Sequence, residues 1–282
     1  MARGKEGLFR SRYQKSGDLM NRTYRPSVYD INKASILRRF AAFLIDMILL
    51  VVLATGLATL ISKIVDYDGN YARLEEKYLE HGIYSLNPDA SGEEDKYIAC
   101  VVEYDENGKP LSNDACYLSW QDFYADAEAI KYSGICDNLM IVMLSMSSLV
   151  GLLILEFAVP LILKKGKTVG KLIMHIGLLG TDRVKIRSWQ LFARVVIGRF
   201  AIETMIPIFC IVFAFINPRG GLLGVIIIAV LATVECLCVG FTKNSQALHD
   251  IVGSTVVVDS DSQFFANSKE ELEQRLAEDS KS

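Results

Sequence analysis

The run Phe40–Ser62, FAAFLIDMILLVVLATGLATLIS, decides the fold class because its 23 residues contain only one charge, Asp46. A bilayer core about 30 Å thick needs roughly 20 apolar residues per helix. Three further runs of 21 to 25 residues are also long enough: Leu139–Leu163, Ala193–Ile216 and Leu222–Thr242. Buried helices of soluble proteins usually have shorter apolar runs. The sequence therefore predicts an all-α membrane protein, a bundle of four transmembrane helices.

The distribution of lysine and arginine predicts the orientation of these helices. Residues 1–39 hold ten basic residues against three acids, and residues 164–192 hold seven against one. Residues 63–137 reverse this balance, with six basic residues against 17 acids. The positive-inside rule places the first two segments in the cytoplasm and the third outside. Four crossings of the plasma membrane then leave both termini in the cytoplasm.

These assignments divide the chain into nine segments. In order they are a basic cytoplasmic arm (1–37), the first transmembrane helix (38–62), an acidic outer segment (63–137), the second helix (138–163), a basic cytoplasmic loop (164–192), the third helix (193–216), a short outer loop (217–221), the fourth helix (222–242) and a cytoplasmic tail (243–282). We call residues 63–137 the insert.

The insert is too long to be a bare connection, and its patterns predict a small α+β unit outside the cell. Helices are predicted at Tyr71–Glu80 and Trp120–Lys131, and strands at Lys96–Tyr104 and Leu111–Trp120. Between the two strands lies Asn107-Gly108, which is a strong hairpin signal.

The hairpin bears on the cysteines of the insert. Cys100 and Cys116 lie eight residues on either side of Gly108, so a turn there would set them opposite one another or one register apart. Disulfides persist outside the cell, and this pair is therefore a disulfide candidate.

Two segments near the predicted cytoplasmic face have strand character. Leu172–Leu179 is apolar but too short to cross the bilayer, so it is either a strand or an interfacial segment. Thr255–Val258 is rich in β-branched residues, and the two segments are candidates to pair. In the tail, Ser268 and Glu271 have the spacing of a capping box and predict a helix.

Each apolar run contains one carboxylate, and the four are Asp46, Glu156, Glu203 and Glu235. At about 1.5 Å per residue, all four lie roughly 10–13 Å inside the cytoplasmic edge of the bilayer. Like charges so close together cannot all ionise, so either some carry protons or a cation lies among them. The alternative is that arginines and backbone donors pair with them and lock the bundle.

Basic residues near this layer are candidate charge partners. Arg199 lies four residues from Glu203, which is salt-bridge spacing on one helix face. Arg39 and Asp46 are seven residues apart and share a face of the first helix. Arg194 lies at the rim of the layer.

Several motifs together resemble one family. The stretch Arg39-Phe-Ala-Ala-Phe-Leu-Ile-Asp46 resembles the Arg-x-x-Ala-x-x-x-Asp start of the first helix in RDD-family membrane proteins. Thr168-Val-Gly-Lys171 is similar to the Thr-x-Gly-Lys element after the second helix, and Arg194 to the arginine that opens the next. The stretch Leu248-His249-Asp250-Ile-Val-Gly253-Ser-Thr255-Val-Val resembles the closing element of the family, which begins with His-Asp and ends with Val-Val.

The resemblance covers residues 37–62 and 138–258 and leaves out the arm, the insert and the tail. It implies that Arg39, Asp46 and Asp250 are the arginine and two aspartates of the family name. It also implies an α-helical bacterial membrane protein. Some members are reported as sodium/proton antiporters, so the resemblance makes a transport role an expectation here.

Two functions fit these patterns. In the first, the four carboxylates bind a cation or a proton while Arg194 or Arg199 competes for them, and a homodimer is expected because four helices are few for a carrier. In the second, the protein is a non-transporting scaffold or accessory subunit whose insert binds a protein partner outside the cell. Arg39, Asp46, Arg194 and Asp250 are then structural.

No enzyme motif is present in the sequence. It lacks G-x-S-x-G, HExxH and a phosphate loop, and its cysteines do not have zinc-ligand spacing. The basic arm is explained by topology, so nucleic-acid binding is not expected. We therefore expect no enzymatic activity, cofactor or metal, and the lipid bilayer as the main partner.

Overall fold

The computed structural model describes residues 30–92, 95–163, 166–216 and 221–279. Residues 1–29 of the predicted basic arm and residues 217–220 of the predicted short outer loop lie outside the described residues. The described chain is mostly helical, with two small two-stranded sheets.

Four helices are long and apolar enough to cross a membrane, which confirms the predicted fold class. They are α1 (Ile36–Ile64), α4 (Ala127–Leu163), α6 (Ser188–Ala214) and α7 (Gly221–Phe241). Two of them contain π-helical stretches, which are Leu153–Ala158 in α4 and the longer Arg194–Met205 in α6. In a π-helix each N–H bonds to the fifth preceding carbonyl, a wider turn that frequently occurs at functional sites.

By internal packing the chain divides into two units. Of the described residues, the first unit contains Asp30–Ile48, Leu153–Arg199 and Val230–Asp279. The second unit contains Leu49–Leu152 and Phe200–Ala229, and it includes the insert.

The insert has the small α+β fold that its patterns predict. It contains α2 (Tyr67–Glu80), the antiparallel strands β1 (Tyr84–Leu86) and β2 (Tyr97–Ala99), and α3 (Ala115–Ala125). Its core is built from side chains of α2, the segment between α2 and β1, α3 and the first turns of α4, namely Leu74, Ile83, Phe123, Ala129 and Cys136. Helix α4 therefore starts inside the insert, before the predicted boundary at residue 138.

The strand predicted at Leu111–Trp120 is wrong, because helix α3 begins at Ala115. Asp114 caps this helix, and its carboxylate accepts a hydrogen bond of 2.7 Å from the amide of Tyr117. An aspartate cap of this kind stabilises a helix start by about 1 kcal/mol, which favours helix over strand here. The turn at Gly108 is present, but β2 pairs with β1 instead.

Cys100 and Cys116 are joined in a disulfide, with their Cα atoms 5.6 Å apart. Cys116 lies in the first turn of α3, so the bridge links the segment after β2 to a helix and does not cross a hairpin. Closing a loop of this size stabilises the folded insert by about 3 kcal/mol.

The second sheet, which we call the ribbon, consists of β3 (Ile176–Gly180) and β4 (Thr255–Asp259). The strands are antiparallel, with Leu178 opposite Val257, and this is the pairing that the sequence makes a candidate. The segment leading into α1 lies on the other side of β4, where Ala34 donates its amide to the carbonyl of Val257. Strand β4 therefore links the start of α1 to β3.

The short helices of the first unit complete the description. They are α5 (Val169–Ile173), α8 (Leu248–Val252) and the tail helix α9 (Lys269–Asp279). The hydroxyl of Ser268 caps α9 by accepting a hydrogen bond from the amide of Glu271. The Glu271 carboxylate accepts from the amide of Asn267, one residue further back than in a capping box.

Candidate functional site

Arg39 anchors the start of α1 to the segments that follow α7. Its guanidinium donates to the carbonyl of Ser245 at 2.5 Å and to the carbonyl of Val257 at 2.6 Å. Its buried Nε has no hydrogen-bond partner among the described residues. Arg39 therefore binds two backbone carbonyls, one in the segment after α7 and one in β4, which is a structural role.

Asp46 lies two turns further along α1, where its side chain binds the first turn of α5. One carboxylate oxygen accepts a hydrogen bond of 2.5 Å from the hydroxyl of Thr168, and the other accepts one of 2.8 Å from the amide of Gly170. The residue is only 8% exposed. Both donors are neutral, so Asp46 has strong hydrogen bonds but no arginine partner among the described residues.

The Thr-x-Gly-Lys element is explained by this contact. Thr168 is the N-cap of α5, and its hydroxyl oxygen accepts a hydrogen bond from the amide of Lys171. Gly170 lies so close to α1 that an added Cβ would be 2.2 Å from the carbonyl oxygen of Ala42. Only glycine lets the backbones of α1 and α5 approach to this distance.

Lys171 is the functional candidate that the sequence reasoning missed. Its side chain is 9% exposed, and its ammonium makes no hydrogen bond or ion pair within the part of the chain that the structure describes, although unlike the Nε of Arg39 it is not fully enclosed. Burial and the positive charge of Arg194 lower the pKa of Lys171 to about 8, although the carboxylates of Glu156, Asp46 and Asp250 act in the opposite direction. A pKa of this value makes both protonation states accessible near neutral pH.

Asp250 pairs with Arg194, and both side chains are 3% exposed. The guanidinium donates to the Asp250 carboxylate at 2.5 Å and to the hydroxyl of Thr255 at 3.1 Å. Burial alone would raise the pKa of Asp250, but the nearby positive charges, above all that of Arg194, outweigh it and lower this pKa to about 2. Asp250 is therefore an ionised partner of Arg194.

Glu156 pairs with Arg199, and each residue lies in a π-helical stretch of its own helix. The Nε of Arg199 is 2.9 Å from a carboxylate oxygen of Glu156, and both side chains are largely buried. The guanidinium also lies over the ring of Phe43, 4.9 Å from its centroid. Sequence spacing predicted only Glu203 as an ion-pair partner of Arg199, because spacing identifies neighbours within a single helix.

The other two predicted carboxylates are Glu235 of the first unit and Glu203 of the second. Glu235, near the end of α7, accepts a hydrogen bond of 3.2 Å from the amide of Leu248 at the start of α8. Glu203 is half-buried on the π-helical stretch and belongs to the second unit.

Three acids and three bases of the first unit form a group that we call the buried charge cluster: Asp46, Glu156, Lys171, Arg194, Arg199 and Asp250. Arginines pair with two of the three carboxylates. The carboxylate without an arginine is Asp46, and the cation without a direct partner among the described residues is Lys171. The excess of carboxylates expected from the sequence is therefore compensated by charge in this cluster, and the balance depends on the proton of Lys171.

Four apolar helices and a buried charge cluster beside the ribbon define a multi-pass α-helical membrane protein. The model of the RDD family matches residues 33–254, and the chain belongs to the RDD family. This match spans the insert, which the motif resemblance left out. No curated protein and no solved structure matches the chain.

The insert carries a separate charged group around His81, whose two ring nitrogens both face carboxylates. Nδ1 is 2.8 Å from Asp122 and Nε2 is 3.2 Å from Asp126, so an imidazolium satisfies both contacts. A carboxylate of Glu80 lies close enough to share a metal ion with His81 and Asp126, but the ammonium of Lys77 already binds Glu80 and Asp126. This group is therefore better described as an ion-pair network.

The hydrogen bond to Asp122 raises the pKa of His81. This shift predicts that the stability of the folded insert depends on pH. Because the pKa of His81 is higher in the folded than in the unfolded chain, its contribution to stability is complete below pH about 6.5. This contribution is lost as the pH rises through the folded-state pKa of His81. We expect the unfolding temperature of the insert to fall between pH 6.5 and 9. Trp120 fluorescence in a Trp189→Phe background of the full chain reports it, because these are the two tryptophans of the sequence.

The control for this prediction is His81→Gln in the same background. The pKa of Asp126 is lowered to about 2, mainly by the amide of Glu128, so its own contribution is lost only in strong acid, outside this range. The variant should therefore show little change between pH 6.5 and 9. Equal slopes in the two proteins would contradict a role for His81.

Proposed function

We propose that the protein is a membrane transporter that exchanges a cation for a proton, with both termini in the cytoplasm of a bacterial cell. The observation that carries this proposal is the buried Lys171, which has no direct partner among the described residues and shares its cluster with the one carboxylate that no arginine pairs. Membership in the RDD family is consistent with it.

The charge balance of the buried charge cluster couples the release of a proton to the entry of a cation. With Lys171 protonated, three positive groups balance three carboxylates. Loss of its proton leaves one net negative charge in a poorly solvated site, which is unfavourable. A monovalent cation restores neutrality, so one proton leaves for each cation that enters.

Asp46 is the carboxylate that we assign to the cation. An ionised carboxylate has about four acceptor positions, and two of them on Asp46 are used by Thr168 and Gly170. Carboxylate and hydroxyl oxygens are hard ligands, which suit alkali and alkaline-earth cations. Glu156, Glu203 and Glu235 remain candidates for further steps along the path.

Proteoliposomes containing a pH-sensitive dye test this proposal directly. Na⁺, Li⁺ and K⁺ are added in turn, and the transported cation should produce a pH change that depends on the protein. Asp46→Asn and Lys171→Arg should both abolish it, the second because arginine keeps its proton. Glu273→Gln and Lys269→Gln, on the exposed face of the tail helix, are the matched controls.

Two results would overturn the proposal. One is the absence of any cation-driven pH change with the folded wild-type protein. The other is full exchange by Lys171→Arg, which would show that the proton is carried elsewhere. Circular dichroism and size-exclusion profiles of each variant establish that it is folded.

A second candidate is a scaffold or accessory subunit whose insert binds a protein partner outside the cell. It is favoured by apolar side chains exposed on the insert, among them Val101 at 81%, Leu86 and Ile98. Replacing residues 70–132 by a short linker separates the two functions. Exchange that persists in this variant supports transport by the helices alone, whereas loss of a cellular phenotype without loss of exchange supports the scaffold role.

A further inference from the structure

A pocket of about 190 Å³ lies where α4 ends and α6 begins. Its apolar side is formed by Pro160, Leu161 and Leu191, and its polar side by Lys185, Arg187 and Ser188. None of the described residues that line it is acidic. The pocket therefore has one cationic wall and one apolar wall.

The cationic wall has unused hydrogen-bond donors. Arg187 is exposed, and its guanidinium has no ion-pair partner among the residues that the structure describes. Lys185 donates one hydrogen bond of 2.5 Å to the side chain of Asn267, which leaves two ammonium N–H groups. The amides at the start of α6, a 27-residue helix, add positive potential beside Ser188. These groups together match a phosphate.

The surroundings of the pocket are apolar and exposed. Trp189 is 61% exposed, and Phe192 and Ile162 are exposed as well. Tryptophan at the end of a membrane-crossing helix is typical of the level of the lipid headgroups. A ligand at this position therefore meets a cationic wall with its head and apolar side chains with its tail.

We propose that this pocket binds the phosphate headgroup of an anionic phospholipid, with the acyl chains lying along Leu161 and Trp189. A free phosphate would use only the cationic wall, whereas a phospholipid uses both. The proposal does not depend on transport. It gives the basic loop before α6 a binding role in addition to its effect on topology.

The test uses the full-length protein, delipidated in detergent and then incubated with phosphatidylglycerol or phosphatidylcholine. Native mass spectrometry counts the lipids retained. The wild type should retain phosphatidylglycerol in preference to phosphatidylcholine. Lys185→Gln/Arg187→Gln should weaken its retention about 30-fold, roughly fivefold for each cation lost near the headgroups.

Two matched variants make the result specific. Lys109→Gln/Lys269→Gln removes two exposed basic residues elsewhere and should leave retention unchanged. Lys185→Arg/Arg187→Lys keeps both charges and should bind phosphatidylglycerol. The unfolding temperatures of this charge-conserving variant and of the double glutamine variant are then compared. Similar values show that the double glutamine variant has lost lipid binding and not its fold.

Three outcomes would overturn the proposal. They are equal retention of the two lipids by the wild type, unchanged retention in the folded double glutamine variant, and full displacement of phosphatidylglycerol by millimolar inorganic phosphate. The last would identify a site for a free anion.

Discussion

Replacing Arg194 by methionine is expected to destabilise the protein by about 3–5 kcal/mol, because it leaves the Asp250 carboxylate buried without its cation. The two charged groups are 2.5 Å apart, and each side chain is 3% exposed. Among the described residues, the hydrogen bonds that then remain for the Asp250 carboxylate come from two neutral donors, the hydroxyl of Thr255 and the amide of Ala247. The unfolding temperature in detergent and the yield of monodisperse protein measure the loss.

The double variant Arg194→Met/Asp250→Asn is the control for this prediction. It removes the uncompensated charge, so it should be more stable than Arg194→Met alone, and the two effects should not add. Without the arginine, burial raises the pKa of Asp250, so the single variant should gain stability relative to the wild type as the pH falls. Additive losses without this pH dependence would contradict a buried ion pair.

Replacing Gly170 by alanine should be similarly damaging, at about 3–5 kcal/mol. The added Cβ would lie 2.2 Å from the carbonyl oxygen of Ala42, which is backbone and cannot rotate away. Overpacking of this kind typically costs about 1–3 kcal/mol. Separating the two segments also breaks the hydrogen bond from Gly170 to the Asp46 carboxylate, worth about 1.5–3 kcal/mol. The readouts are folded yield and unfolding temperature.

Gly56 provides the matched control, because it lies on the same helix as Ala42 and an added Cβ would meet nothing within 4 Å. Gly56→Ala should be neutral or stabilising by up to about 1 kcal/mol, since alanine favours the helix. If Gly170→Ala is tolerated as well as Gly56→Ala, α5 does not approach α1 as described.

Local patterns were sufficient to predict much of the fold. The four membrane helices follow from the lengths of the apolar runs, and the pairing of β3 with β4 follows from their strand character. The start of α3 was missed because the cap at Asp114 outweighs the strand character of the residues around it. The helix predicted at Trp120–Lys131 is divided in the structure, because α3 ends at Ala125 and α4 begins at Ala127 and continues without a break to Leu163.

The candidate site could be predicted only in part. A single carboxylate in an apolar run is conspicuous, so Asp46 and Glu156 were found from the sequence. Their partners come from elements far along the chain, such as Thr168, 122 residues after Asp46. Lys171 was missed because nothing in a basic loop shows that one lysine is buried while its neighbours are not. Its place in the Thr-x-Gly-Lys element was the signal that could have identified it.

The anchorage of α1 has a consequence for synthesis of the protein. The ribosome incorporates Arg39 218 residues before Val257, whose carbonyl this arginine binds. At about 5–20 residues per second, roughly 10–40 s pass between the two events. During that interval the nascent first helix enters the bilayer with a guanidinium whose acceptors have not yet been translated. A chain that terminates before Thr255 would keep the carbonyl of Ser245 but lack that of Val257, so Arg39 would have only one of its two acceptors although all four membrane helices had been made.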